Sequence, residues 1–305
     1  MRPHKDRILE SLWSAIEGEN KAAWLPVASA LADYDPANER WRGVAAKVSD
    51  NLVRDPLRLS TWIELLRPAA LQLNPELKQI YAAMPDATRS QAQIDLATDI
   101  LETYAAADFP VLHELIQSGR PEQFARLFNE YEVFRKEAIE ELRSDVARTF
   151  VPDSNASADE VEQSRLRWIA RQANAAVALM RLEDPQPVYQ FLTVDRDPEA
   201  LSQFIYRIRG REVSPSLLVK SFQELVKLPT PLDANERRQH TLRLYGMILG
   251  LGEFTVDQLP ATDRDGLIEQ LSGMYGDHPS RVVHSALGWL LRRWGQEERV
   301  RAIGK

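Results

Sequence analysis

Cysteine is absent from the 305 residues. That removes disulfides, thiolate metal sites, iron–sulfur clusters and cysteine nucleophiles together. Glycine is scarce, at 13 residues, where average usage is roughly 7%. A turn-dense β protein needs more, and so does a phosphate-cradling loop. Neither Gly-x-x-x-x-Gly-Lys-Ser/Thr nor Gly-x-Gly-x-x-Gly occurs, and no Gly-x-Ser-x-Gly nucleophile elbow is present. No run of about 18 apolar residues exists, so no segment reads as a membrane span and the segment is expected to be soluble without membrane insertion. The opening Met1-Arg2-Pro3-His4-Lys5-Asp6 lacks the apolar core of a signal peptide. Basic charge is in deficit as well: 38 Lys and Arg stand against 45 Asp and Glu, a net −7. That sign argues against a general nucleic-acid binder, which needs a basic footprint.

What is present is apolar periodicity. Hydrophobic residues make up 44% of the chain, enough for a sizeable core in about two domains or one elongated array. Ile94, Ala97, Leu101 and Tyr104 recur every three or four residues, which places them on one helix face. Leu166, Ile169, Ala173, Val177 and Met180 repeat the spacing, as do Val283, Ala286, Leu290 and Trp294, with Val282, Leu287 and Leu291 widening that last stripe. Stripes this broad predict helices with neighbours on more than one side.

Eighteen prolines punctuate the pattern. Six follow a residue suited to capping: Asp35-Pro36, Asp55-Pro56, Asn74-Pro75, Asp184-Pro185, Asp197-Pro198 and Ser214-Pro215. A short polar side chain accepts from the free N–H groups of a first turn, and proline at the first helical position loses no hydrogen bond. Each pair reads as a helix start, with a turn inside a loop as the alternative. The resulting expectation is an all-α chain of roughly 12–15 helices. No convincing strand survives: in Tyr189-Gln190-Phe191-Leu192-Thr193-Val194 the proline-opened helical frame explains the first half. Residues 151–157, polar and rich in capping residues, read as a linker between an N-terminal helical part (1–150) and C-terminal repeats (158–305). In the latter, Asp277 to Leu291 looks like a HEAT-type repeat helix, with a small residue allowing close packing. Serial helix pairs of this kind predict an α-solenoid.

Candidate chemistry is thin. The five histidines, His4, His113, His240, His278 and His284, include no pair at i, i+4, so no metal site is expected. Glu130, Glu132, Glu137, Glu140, Glu141 and Asp145 alternate with Ile139, Leu142 and Val146 and read as the solvated face of a helix rather than paired catalytic carboxylates. Gly246, Gly250 and Gly252 read as packing and helix-ending glycines. The tryptophans, Trp13, Trp24, Trp41, Trp62, Trp168, Trp289 and Trp294, sit mostly in apolar stripes and are expected in the core, with one or two available to anchor a partner. No cofactor is called for. Charge, however, is uneven. Residues 101–200 hold 11 Lys and Arg against 19 Asp and Glu, a net −8, whereas residues 201–250 hold 8 against 4, a net +4. Arg207, Arg209, Arg211, Lys220, Lys227, Arg237, Arg238 and Arg243 therefore form a candidate basic surface for an acidic partner; the alternative is solvated helix faces paired with the acidic middle of the chain.

Five stretches carry a family resemblance: Pro3 to Trp13, Ala30 to Pro36, Leu96 to Leu101, Arg171 to Leu179, and Ser285 to Gly295. They resemble the helical region of planctomycete-type bacterial multidomain proteins that join a Ser/Thr protein kinase, a membrane helix, this helical region and a formylglycine-generating-enzyme-like domain. The resemblance implies packing rather than chemistry. No kinase glycine-rich loop, His-Arg-Asp or Asp-Phe-Gly motif is found, so neither enzyme's catalytic residues carry over. It implies an excised middle module or a stand-alone relative, cytoplasmic or, beyond a membrane helix, extracytoplasmic. The expected function is a non-catalytic module contacting a protein partner or neighbouring domains of a parent chain. The rival is a HEAT-like DNA binder, similar to alkylpurine DNA glycosylases, using the basic 201–250 segment.

Overall fold

Side-chain capping marks some helix starts and proline marks others. A computed structural model describes residues 2–193 and 198–304. In chain order the helices are α1 (Arg2–Glu17), α2 (Lys21–Tyr34), α3 (Trp41–Leu52), α4 (Leu59–Leu66), α5 (Ala70–Ala82), α6 (Gln91–Ala105), α7 (Phe109–Ser118), α8 (Pro121–Glu132), α9 (Arg135–Ala147), α10 (Ala158–Arg181), α11 (Gln186–Phe191), α12 (Pro198–Gly210), α13 (Pro215–Lys227), α14 (Ala234–Leu251), α15 (Ala261–Asp277), α16 (Arg281–Arg293) and α17 (Glu297–Ile303). The described residues contain no strand, and the chain is all-α. The helices outnumber the 12–15 expected, because α11 and α17 have only six and seven residues, too short for a periodicity to register.

Ser90 opens α6 and Ser157 opens α10 with full capping boxes: each hydroxyl accepts from the backbone N–H three residues on, while Gln93 or Glu160 reaches back to the cap's own N–H. Asp233 opens α14 by accepting from the N–H groups of Asn235 and Glu236, both at 2.9 Å. The proline-marked starts divide. Pro198 and Pro215 are first residues of α12 and α13, Asp184-Pro185 immediately precedes α11, and Pro56 opens a 3₁₀ turn leading into α4; Asp197 lies outside the described residues. The other two pairs do not open helices. Asp35-Pro36 is a turn, because its carboxylate faces side chains instead of helix N–H groups: Oδ2 accepts from Trp13 Nε1 at 3.1 Å and Asn38 Nδ2 at 2.7 Å. Pro75 lies inside α5. A proline within a helix costs about 3 kcal/mol in an ordinary context. Here Leu73, Leu77, Ile80 and Tyr81 bury one stripe, and Leu71, whose carbonyl loses its bond, is on the exposed side.

Two compact units result, Met1–Leu115 with Arg126–Tyr131, and Ile116–Ala125 with Glu132–Lys305. In unit 1, α1 packs on α2, α2 on α3 and α4, α3 on α5, and α5 on α6. Trp13, Ile16, Leu31, Trp41, Leu52 and Leu66 are almost wholly buried there, with the Trp13 and Trp41 rings edge-to-face at 5.7 Å. In unit 2, α10 packs on α9, α11 and α12; α14 packs on α12, α13 and α16; α15 and α16 pair, and α17 packs on both. The 151–157 segment joins α9 to α10 inside unit 2, and those two helices pack directly on each other. The stripes of α6, α10 and α16 are buried as their spacing predicts, except that Leu166 in the third turn of α10 and Val282 in the first turn of α16 are exposed and Tyr104 of α6 is half-buried.

Candidate interaction surface

The basic segment occupies α12, α13, α14 and their connections, and only part of it faces solvent. Arg209, Lys220, Lys227, Arg237 and Arg238 are exposed. Arg207, Arg211 and Arg243 are not, which corrects the eight-residue surface read from the sequence. Arg207 is half-buried: its Nε donates to Asn174 Oδ1 at 3.0 Å and its Nη1 to the Gln203 carbonyl at 3.1 Å, and burial holds its guanidinium below the ordinary arginine range. Arg211 is 4% exposed; Nη2 donates to the Gly119 carbonyl at 2.8 Å and the guanidinium lies 5.6 Å over the Phe124 ring. Arg243 is half-buried against Gln239. A guanidinium has five donors in a planar fork, so it satisfies carbonyls inside a helical body where a lysine would not.

Three of the five exposed cations flank the link between α13 and α14. Lys227 ends α13, and Arg237 and Arg238 fall in the first turns of α14. Within the link Leu228 is 48% exposed and Leu232 is 95% exposed. Arg237 shapes this link, donating from Nε to the Pro231 carbonyl at 3.2 Å and from Nη2 to the Leu232 carbonyl at 2.6 Å. The acidic groups nearby are Asp233, engaged as the α14 cap, and Glu236. The link is thus an exposed apolar tip tied to Arg237, with Lys227 and Arg238 on the helix ends that flank it.

Residues that sequence reasoning passed over form a polar network inside unit 2. Asn174, 3% exposed, donates from Nδ2 to the carbonyls of Gln117 at 2.7 Å and Gly119 at 3.2 Å. Gln172, 5% exposed, donates to the carbonyls of Asp145, Val146 and Arg148. Gln117 donates to Asp145 and accepts from Arg171. Asp145 is thus a buried acceptor, not part of the solvated face read for α9. Amides facing backbone carbonyls position helices; they offer no group poised to attack or to move a proton. The signal was two amides inside the Ala-rich run Gln172 to Leu179.

The remaining candidates resolve as packing. The three glycines of α14 and its C-cap lie where neighbours approach closely: a Cβ on Gly246 would sit 3.1 Å from Leu201, on Gly250 3.1 Å from Ile208, and on Gly252 2.2 Å from Trp289. His113 Nδ1 lies 2.7 Å from the Tyr131 hydroxyl, and His284 stacks on Tyr275 with centroids 4.2 Å apart. Among the described residues no group of His, Asp and Glu is placed to hold a metal ion. Nor is any helix among them long and apolar enough to cross a membrane. Trp13, Trp41, Trp62 and Trp294 are core residues, whereas Trp289 is 40% exposed, with Arg293 5.6 Å over its ring.

No family model, curated protein or solved structure matches this chain.

Proposed function

We propose that the chain is a non-catalytic helical-repeat module for protein–protein contact, a scaffold, spacer or sensor region of a larger signalling protein, with its helix pairs stacked in the HEAT manner. Support for the stacking comes from serial packing of α9 on α10, α10 on α12, α12 on α14, α13 on α14 and α14 on α16, with alanine and glycine at close approaches. The planctomycete-type resemblance supplies the context of a multidomain parent.

The observation that carries the binding reading is the α13–α14 link. Leu232 is 95% exposed, its carbonyl is tied to Arg237, and the exposed Lys227 and Arg238 lie on the flanking helix ends. Single exposed leucines are ordinary on a soluble protein. An exposed leucine pair flanked by cations fits an acidic protein segment that inserts an apolar side chain, the charges steering encounter and the leucine supplying contact area. The DNA-binding reading is weakened, because Arg207 and Arg211 serve the interior and cannot also meet phosphates.

A photo-crosslinking side chain at position 232 tests this. The expected result is a crosslink to an acidic protein in native cells, lost in the Lys227→Glu/Arg238→Glu double variant and at high salt. A crosslink to nucleic acid would transfer the case to the rival. Absence of any salt-sensitive crosslink, with unchanged activity of a parent protein on deletion of this region, would end the reading.

A further inference from the structure

Unit 1 contains a second cationic feature, separate from the α13–α14 link and independent of the reading above. A cavity of about 200 Å³ opens between the first turns of α2, the end of α3 and the 3₁₀ turn before α4. Lys21, Arg54 and Arg58 line it together with Asn51 and Trp62, and Asp55 is the one carboxylate in its wall. Three cations against one anion leave the lining at a net +2.

The nearby carboxylates are already shared. Asp55 accepts from Trp62 Nε1 at 3.0 Å and from Arg58 Nε at 3.1 Å, which holds its carboxyl below the ordinary aspartate range. Asp50, the partner of Arg54 at 2.9 Å, also pairs with Arg89 at 2.8 Å, so two guanidiniums divide one negative charge. Lys21 makes no ion pair among the described residues. Arg58 is bonded to Asp55 and lies over Trp62, 5.5 Å from the ring centroid, and its Nη1 makes no hydrogen bond among the described residues. A guanidinium held by Asp55 with a donor edge left over, a second one half-compensated and an uncompensated ammonium make a receptor for a compact anion of two charges.

We propose that this cavity binds a phosphate-type dianion, a phosphate monoester either free or carried on a side chain of a partner protein. A carboxylate matches only half of the lining's excess charge, whereas a phosphate monoester carries close to two charges at neutral pH and three acceptor oxygens.

The test is calorimetric titration of the full chain at pH 7.5 and low salt, first with inorganic phosphate and then with a phosphoserine peptide and its unphosphorylated form. Saturable phosphate binding is expected, with acetate at least about tenfold weaker, the loss of one charge-assisted hydrogen bond. Lys21→Gln should weaken phosphate about tenfold on the same basis while leaving the circular dichroism unchanged, since Lys21 has no partner to strand. Arg54→Gln should act in the same direction. Lys78→Gln, which alters a cation paired with Glu114 elsewhere in unit 1, should change nothing. Tighter binding of the phosphopeptide than of phosphate identifies a protein-borne source; equal binding identifies a free ester. The proposal is overturned by non-saturable phosphate binding, by equal affinity for acetate, or by a Lys78→Gln effect as large as that of Lys21→Gln, which would mean diffuse attraction only.

Discussion

Unit 1 and unit 2 close their inter-helix connections with different side chains. In unit 1 the donors are aromatic: Trp13 and Trp41 meet on the carboxylate and carbonyl of Asp35, Trp24 donates to the Gly18 carbonyl and Trp62 to Asp55, and the hydroxyls of Tyr81 and Tyr104 donate to the Leu115 and Ile63 carbonyls. In unit 2 they are mostly amides and guanidiniums: Asn174, Gln172, Arg211, Arg135 and Arg293 all donate to carbonyls at helix ends, with Trp294 to the Phe254 carbonyl as the one indole among these. An indole brings one N–H with a large apolar body, so the tie is also core. An amide or guanidinium brings several donors and little bulk, which suits the Ala-rich face of α10 and the glycines of α14. The first strategy should therefore fail through lost volume and the second through stranded carbonyls.

Four measurements break or sharpen that contrast, taken in order of expected effect. Trp41→Ala empties a fully buried site and should cost about 4 kcal/mol in urea unfolding, whereas Trp41→Phe, keeping most of the volume, should cost only about 1 kcal/mol for the lost N–H. If the two variants cost the same, volume is not what matters in unit 1. Asn174→Ala removes three hydrogen bonds and little bulk, and about 3 kcal/mol is expected because the Gln117 and Gly119 carbonyls lose a donor. A cost under about 1 kcal/mol would show that water replaces the amide and that unit 2 is not held this way. For the glycines, Gly252→Ala should destabilise by about 1 kcal/mol, its Cβ meeting Trp289, while Gly273→Ala, in open space within α15, should stabilise by a similar or smaller amount. Thermal melts of the pair decide whether close approach or helix propensity dominates.

The smallest effect is in pH. Burial, then Arg243 and His278, lowers the pKa of His240, and burial lowers that of His278, so the folded state binds protons less readily than the unfolded one. Stability from these two groups is complete above the unfolded value of 6.5 and declines as pH falls from there toward the depressed folded values. Urea midpoints between pH 7.5 and 5 should fall accordingly, and a His240→Gln/His278→Gln variant should flatten the slope. An unchanged slope in that variant would locate the acid sensitivity elsewhere.

The helical character of the chain was legible because α6, α10 and α16 each carry a stripe long enough to repeat three times. Helix starts were legible where the proline itself fits the first turn, as at Ser214-Pro215, where Pro215 opens α13 although the Ser214 side chain makes no capping bond. They failed at Asp35-Pro36 and Asn74-Pro75, where the deciding partners, Trp13 and the buried stripe of α5, lie outside the dipeptide. The basic surface was only partly legible for a related reason. Charge density along the chain counts Arg211 with its neighbours, yet its partner Gly119 stands 92 positions earlier. Nothing near Arg211 in the sequence announces that. The cavity beside Lys21 is likewise assembled from α2, α3 and α4, and no single stretch contains its pattern.

The Asp35 turn has a consequence for how proteases meet this protein. Cleavage requires a segment to leave the surface and thread through an enzyme cleft in extended form. Residues 35–40 sit at the surface between two helices, but two indoles and Asn38 hold Asp35, while Arg40 is clamped by Glu10 and Glu17. The connection after α9 is anchored at its start by Arg148 on Asp145, Gln172 on the Arg148 carbonyl and Phe150 against Trp168, and at its end by Ser157 with Glu160. Residues 151–156 between them have only the bonds of Asp153 with Asn155 and Ala156. Limited digestion should nick between α9 and α10 well before it touches the turn after α2.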